Sequence, residues 1–116
     1  MADYTYVKDQ ELSSLAVAWY DYAGNLLDLS TGYTFMVKIA ARDTPTTTII
    51  TKSTNITGAA TSPNLLINWD VNAFSTLTAA GAVYVMWIIA TRTADGKHRV
   101  FSPENLPRFT LLTAPS

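Results

Sequence analysis

Residues Leu12 to Ala41, LSSLAVAWYDYAGNLLDLSTGYTFMVKIAA, decide the fold. The stretch holds two runs of period-2 character. Leu15, Val17 and Trp19 share one face of the first run; Tyr33, Phe35, Val37 and Ile39 share one face of the second. Side chains two apart on a strand point the same way, so each run offers a core an apolar row. Between them, Asp21-Tyr22-Ala23-Gly24-Asn25 reads as a tight turn, Leu26-Leu27-Asp28-Leu29 as a short apolar rung and Ser30-Thr31-Gly32 as a second turn. Gly24 takes a positive φ without steric cost, and Asn25 does so more easily than most residues. The stretch is half of a β-sandwich.

Working outward, Tyr4 to Lys8 reads as a short strand before it. After it come a turn ending at Pro45, a β-branched strand at Thr46 to Lys52, and a small polar loop at Ser53 to Pro63. Leu65, Ile67 and Trp69 mark another strand. Val71, Phe74 and Leu77 then fall at three-residue spacing, Asp70 or Asn72 can cap, and Gly81 can stop, so one or two helical turns are expected within Val71–Ala80. Ala82 to Arg92 (AVYVMWIIATR) is the most apolar strand, with Val83, Val85, Trp87 and Ile89 in one row and Tyr84, Met86 and Ile88 in the other. Asp95-Gly96 is a strong hairpin signal and Lys97 to Ser102 the returning strand. Pro103 to Pro107 is a bend and Arg108 to Thr113 a last strand. Seven or eight short strands with regular turn signals describe an all-β sandwich in a single domain, 1–116, with short extended termini.

Charged residues are 15% of the chain, below the roughly 25% usual for soluble domains. Part of the surface is therefore expected to be covered by something else. A net charge of −1 gives no electrostatic footprint for nucleic acid or an anionic membrane. The apolar run Ala82–Ala90 is too short to span a bilayer as a helix. The first residues, Met1-Ala2-Asp3-Tyr4, lack the basic and apolar regions of a signal peptide. With no cysteine in the chain, disulfides, thiolate nucleophiles and cysteine zinc sites are excluded.

Few residues invite chemistry. His98 is the only histidine, and a catalytic or metal role needs partners the sequence does not supply. No serine sits in a Gly-x-Ser-x-Gly elbow. Asp21, Asn25 and Asp28 offer oxygen ligands of the kind calcium uses, but such residues at turns more often bond their own backbone. Asn55-Ile56-Thr57 matches the glycosylation pattern, a chance match in a chain read as lacking a signal peptide. Trp19, Trp69 and Trp87 lie in line with apolar rows and read as core, with Trp19 and Trp87 expected in one core between the sheets. No enzyme activity, cofactor or metal is expected. The informative group is Tyr84, Met86 and Ile88, because a two-layer sandwich buries one face of each sheet and this strand is apolar on both, so that either the crossing helix around Phe74 and Leu77 or another chain is expected to cover the second face. These three residues and the edge run Thr46, Thr48 and Ile50 are the candidate interface, and the terminal segments Met1–Asp3 and Ala114–Ser116 are further candidates for contact with a neighbour.

Taken in order, Trp19, Asp21, Gly24-Asn25, Asp28-Leu29, Gly32 and Tyr33, then Val83 to Ile89 and Asp95-Gly96, resemble a known pattern. The chain is similar to the immunoglobulin-like sandwich domains of tailed-phage virions, of the baseplate upper protein N-terminal-like and tail-fibre collar kinds. The likeness covers most of the chain but rests on turn chemistry, and Pro103 and Pro107 interrupt what is usually a simple last hairpin. It implies an all-β, immunoglobulin-like antiparallel β-sandwich of seven or eight strands with one short helical crossover. It also implies a non-enzymatic structural protein of the virion (tail, baseplate or collar), assembled in the host cytoplasm. Its partners would be other virion structural proteins and further copies of itself, with neither nucleic acid nor membrane. A capsid decoration or minor capsid protein is the alternative. A host-surface or carbohydrate binding module is a further one, ranked lower because the Ser53–Pro63 loop has no aromatic residue to stack on a sugar.

Overall fold

In the computed structural model, residues 3–7, 14–21, 23–69, 74, 76–77, 82–101 and 107–112 are described, with 3–7 and 112 as backbone alone. Nine strands follow one another: β1 (Asp3–Val7), β2 (Leu15–Val17), β3 (Tyr33–Ala41), β4 (Thr48–Lys52), β5 (Ile56–Gly58), β6 (Leu65–Ile67), β7 (Ala82–Arg92), β8 (His98–Val100) and β9 (Arg108–Leu112). They form a six-stranded sheet in the order β1-β9-β7-β3-β4, with β8 also on β7, and a three-stranded sheet in the order β2-β6-β5. The class is all-β, as expected.

β7 organises the large sheet. Along one side it pairs with the whole of β3, from Tyr33↔Arg92 to Ala41↔Tyr84. Its other side is shared between β9, opposite Ala82–Val85, and β8, opposite Ile89–Thr91. Where those two stop, the Met86 N–H donates to the Pro107 carbonyl and the Phe101 N–H to the Ile88 carbonyl. The ladder of the most apolar strand is thus continued by residues outside regular strands.

Residues directly opposite in an antiparallel pair share a face. Val37 and Ile39, on the row expected to face inward, lie opposite Ile88 and Met86. Tyr84, Met86 and Ile88 are therefore core residues, and all three are buried. Leu15 and Val17 of β2, Leu65 and Ile67 of β6, Phe109 and Leu111 meet them in one cluster. Aromatic rings close both ends. Trp69 packs on Phe74, Phe74 stacks on Phe109 at 4.8 Å and Phe109 on Tyr84 at 5.4 Å. At the opposite end Trp19 meets Phe101 edge-on at 5.5 Å.

Three expectations are corrected. First, not every pair is antiparallel: β1 runs parallel to β9, from Asp3↔Arg108 to Val7↔Leu112. Chain neighbours reverse direction at hairpins, but β1 pairs with the far end of the chain, so no hairpin sets its direction. Asp3 accordingly belongs to a strand rather than to a free terminus; residues 1–2 and 114–116 lie outside the described residues. Second, the Ser53–Pro63 loop contains β5, which pairs with β6 through Ile56↔Ile67, Thr57↔Leu66 and Gly58↔Leu65. The described residues hold no helix, but most of the expected crossover, Val71–Ala80, lies outside them; Phe74 and Leu77 are buried and joined by one turn bond, Leu77 N–H to the Phe74 carbonyl. Third, Trp87 is not in the core with Trp19. It lies opposite Lys38 on the outer face of the large sheet.

Candidate functional site

The outer row of β7 is covered by the chain itself. The β3–β4 connection folds over it, and the Trp87 indole N–H donates to the Pro45 carbonyl at 2.7 Å. Lys38 sits opposite Trp87 and Arg108 opposite Val85. Long cationic side chains cover apolar surface with their stems while keeping their charge in water. The question of what hides the second face of this strand is answered locally, and the Tyr84, Met86 and Ile88 row is withdrawn from the interface because those side chains fill the core.

The Thr-rich run behaves differently. β4 ends the large sheet, and among the described residues nothing pairs with its outer edge. Thr46 lies before the strand and Thr48 within it, both exposed. Ile50 lies opposite Ile39 and packs half-buried against the core. The ladder shifts register between Ile39 and Ala40, a bulge that breaks the alternation. The apolar residue presented at this edge is then Ile49, at 47% exposure.

The turn carboxylates bond their own turns. Asp21 Oδ1 accepts from the N–H groups of Ala23 and Asn25, and Asp28 Oδ1 from the N–H and hydroxyl of Ser30. The Ser30 hydroxyl and then its N–H hold the Asp28 carboxyl below its usual pKa. Positive φ falls on Gly24, at 86°, rather than on Asn25; the left-handed asparagine is Asn55, at 58°. Among the described residues no three of His, Asp and Glu gather as a metal cluster.

One cleft stands out, at the Trp19–Phe101 end of the sandwich. It is an open cleft of about 710 Å³ between residues 18–21 on one side and β8 with the ends of β3 and β7 on the other. Tyr20, 52% exposed, and Tyr33 offer rings; Arg92, Lys97 and Arg99 offer cations and hydrogen-bond donors. Arg92 is committed: its Nε and Nη2 reach the two Asp95 oxygens at 3.2 and 2.8 Å. That bond, then the Lys97 N–H, pulls the Asp95 carboxyl below its usual pKa. His98 Nδ1 meets the Thr91 hydroxyl of the neighbouring strand at 2.8 Å. Among the described residues Lys97 and Arg99 have no ion-pair partner.

The cleft was not legible as a site. Sequence reading took residues 92–99 as a hairpin, although three of the chain's eight Lys and Arg residues and its only histidine fall within them. Asn64 was also missed. It is fully buried; its Oδ1 accepts from the Trp19 N–H at 2.7 Å, and its Nδ2 donates to the Trp19 and Leu27 carbonyls at 2.9 and 2.8 Å. A side chain thus extends the pairing of β2 past its last ladder residue and ties it to the apolar rung. Comparison with protein-family models, curated proteins and solved structures finds no match.

Proposed function

We propose that the chain is a non-enzymatic, immunoglobulin-like structural module of a tailed-phage particle, held there by its β4 edge against further copies or another virion protein. The observation that carries the reading is that open edge. An edge strand presents unpaired backbone groups, and proteins that remain alone usually blunt it with charge, proline, short length or a bulge; β4 has the bulge at Ile49 but no charge before Lys52. Here Thr48-Ile49-Ile50-Thr51 is uncharged, with Ile49 turned to solvent. The chain's low charge content points the same way.

The strand order supports the immunoglobulin-like part. In such domains strands B, E and D form one sheet, and C, F and G the other, with C′ added beside C in the variable type. Lettering β2 as B, β3 as C, β4 as C′, β5 as D, β6 as E, β7 as F, and β8 with β9 as G matches the order B-E-D of the small sheet and G-F-C-C′ of the large one, with β1, beside β9, outside this lettering. Tyr84 lies two residues before Met86, the spacing between the corner tyrosine and the second cysteine in that fold. Here Met86 fills the core at the place the cysteine would take.

The test is mass spectrometry of purified phage particles whose genome carries this gene, followed by a density map to place the chain. Stoichiometric presence is the expected result, and a map distinguishes tail, baseplate or collar from the capsid surface. Absence from purified particles overturns the proposal.

A further inference from the structure

We infer that the cleft between residues 18–21 and β8 binds an acidic saccharide, with Arg99 and Lys97 taking its carboxylate and the Tyr20 ring taking an apolar face of a sugar ring. This stands apart from assembly through β4 and does not depend on it.

The chain is net negative, yet Arg92, Lys97 and Arg99 line this cleft. Asp95 engages Arg92 and leaves Arg99 and Lys97 uncommitted among the described residues. Guanidinium is the side chain best shaped to grip a carboxylate, through two parallel hydrogen bonds. Mixed with these cations is an acceptor suited to hydroxyls: Asp21 lines the cleft with only its Oδ1 used by the turn. An exposed tyrosine ring beside alternating donors and acceptors fits a polyhydroxylated anion better than a bare phosphate. The volume, about 710 Å³, lies within the range of small-ligand sites. A nucleic-acid strand would need a basic track continuing along the surface, and the cations here are confined to one end of the molecule.

The experiment is a titration of the full chain at low salt, followed by backbone amide shifts. Trigalacturonate and 3′-sialyllactose are the acidic probes; maltotriose, decathymidylate and a glutamate-rich peptide are the comparisons. At least one acidic saccharide is expected to bind, with a Kd in the range of about 10 μM to 1 mM, shifting Tyr20, Lys97 and Arg99. Arg99→Gln and Tyr20→Ala should each weaken it roughly tenfold with the melting temperature unchanged, both side chains being exposed. Lys97→Gln provides a second charge variant should either of these melt early. Failure of both acidic probes overturns the inference. So does equal binding of maltotriose, tighter binding of decathymidylate or the peptide, or indifference of binding to the charge variants.

Discussion

Removing the Asn64 carboxamide leaves the Trp19 N–H and the Leu27 carbonyl without their partner, while the Trp19 carbonyl keeps the Leu27 N–H. A buried polar group left unsatisfied costs about 1–3 kcal/mol. Asn64→Ala is therefore expected to destabilise the domain by about 2–4 kcal/mol, read as a lower urea midpoint. An unchanged midpoint would mean that water replaces the amide. The two tryptophans should separate in the same assay. Trp19→Ala removes a buried ring, at about 3–5 kcal/mol. Trp87→Ala removes a half-buried one and its bond to Pro45, at about 1–2 kcal/mol. Equal losses would contradict the assignment of Trp87 to the outer face. Gly58 is constrained by its neighbours: a Cβ there would come within 1.9 Å of the Leu29 carbonyl oxygen, so Gly58→Ala must push β5 from the apolar rung. Neither Asn64 nor Gly58 was legible as a core contact in the sequence. An asparagine and a glycine in a polar stretch carry the composition of a loop, and only the fold brings residues 19, 27 and 29 against them.

Among the elements, β3 was legible in both extent and facing, whereas β7, expected at Ala82–Arg92 and found there, was legible in extent alone. β3 alternates clearly enough to assign its inner row, whereas β7 is apolar on both faces, and the parity of such a strand is set by its register with β3 rather than by its own residues. The expected pairing of Trp19 with Trp87 failed for that reason, and Met86 and Ile88 became core. The hairpin at Asp95-Gly96 was legible from turn chemistry, and its electrostatics make a further prediction. Arg92 holds the Asp95 carboxyl, and Ser30 the Asp28 carboxyl, below the ordinary value of 3.8. A carboxylate whose pKa is lower folded than unfolded stabilises the fold above its unfolded pKa. That contribution is lost as pH falls through the folded one. NMR titration should place both midpoints below 3.8, and Arg92→Ala should raise that of Asp95 alone. At the β4 edge, Ile49→Lys puts charge on an exposed position, so it should leave folding intact while preventing assembly. Loss of folding would show that Ile49 is needed by the core.

At the scale of the molecule, the two-layer arrangement followed from strand count and turn spacing, because every expected apolar row needed an opposite layer. The parallel β1–β9 pair and the cleft did not follow, since both depend on parts of the chain that lie far apart in sequence. The account of function rests on the β4 edge being covered in a particle. Hydrogen–deuterium exchange of a peptide spanning residues 46–52, compared between the isolated chain and purified particles, tests it most directly. The edge should exchange rapidly in isolation and become protected in the particle, as paired strands are. Exchange of that peptide at the same rate in both states would contradict assembly through β4.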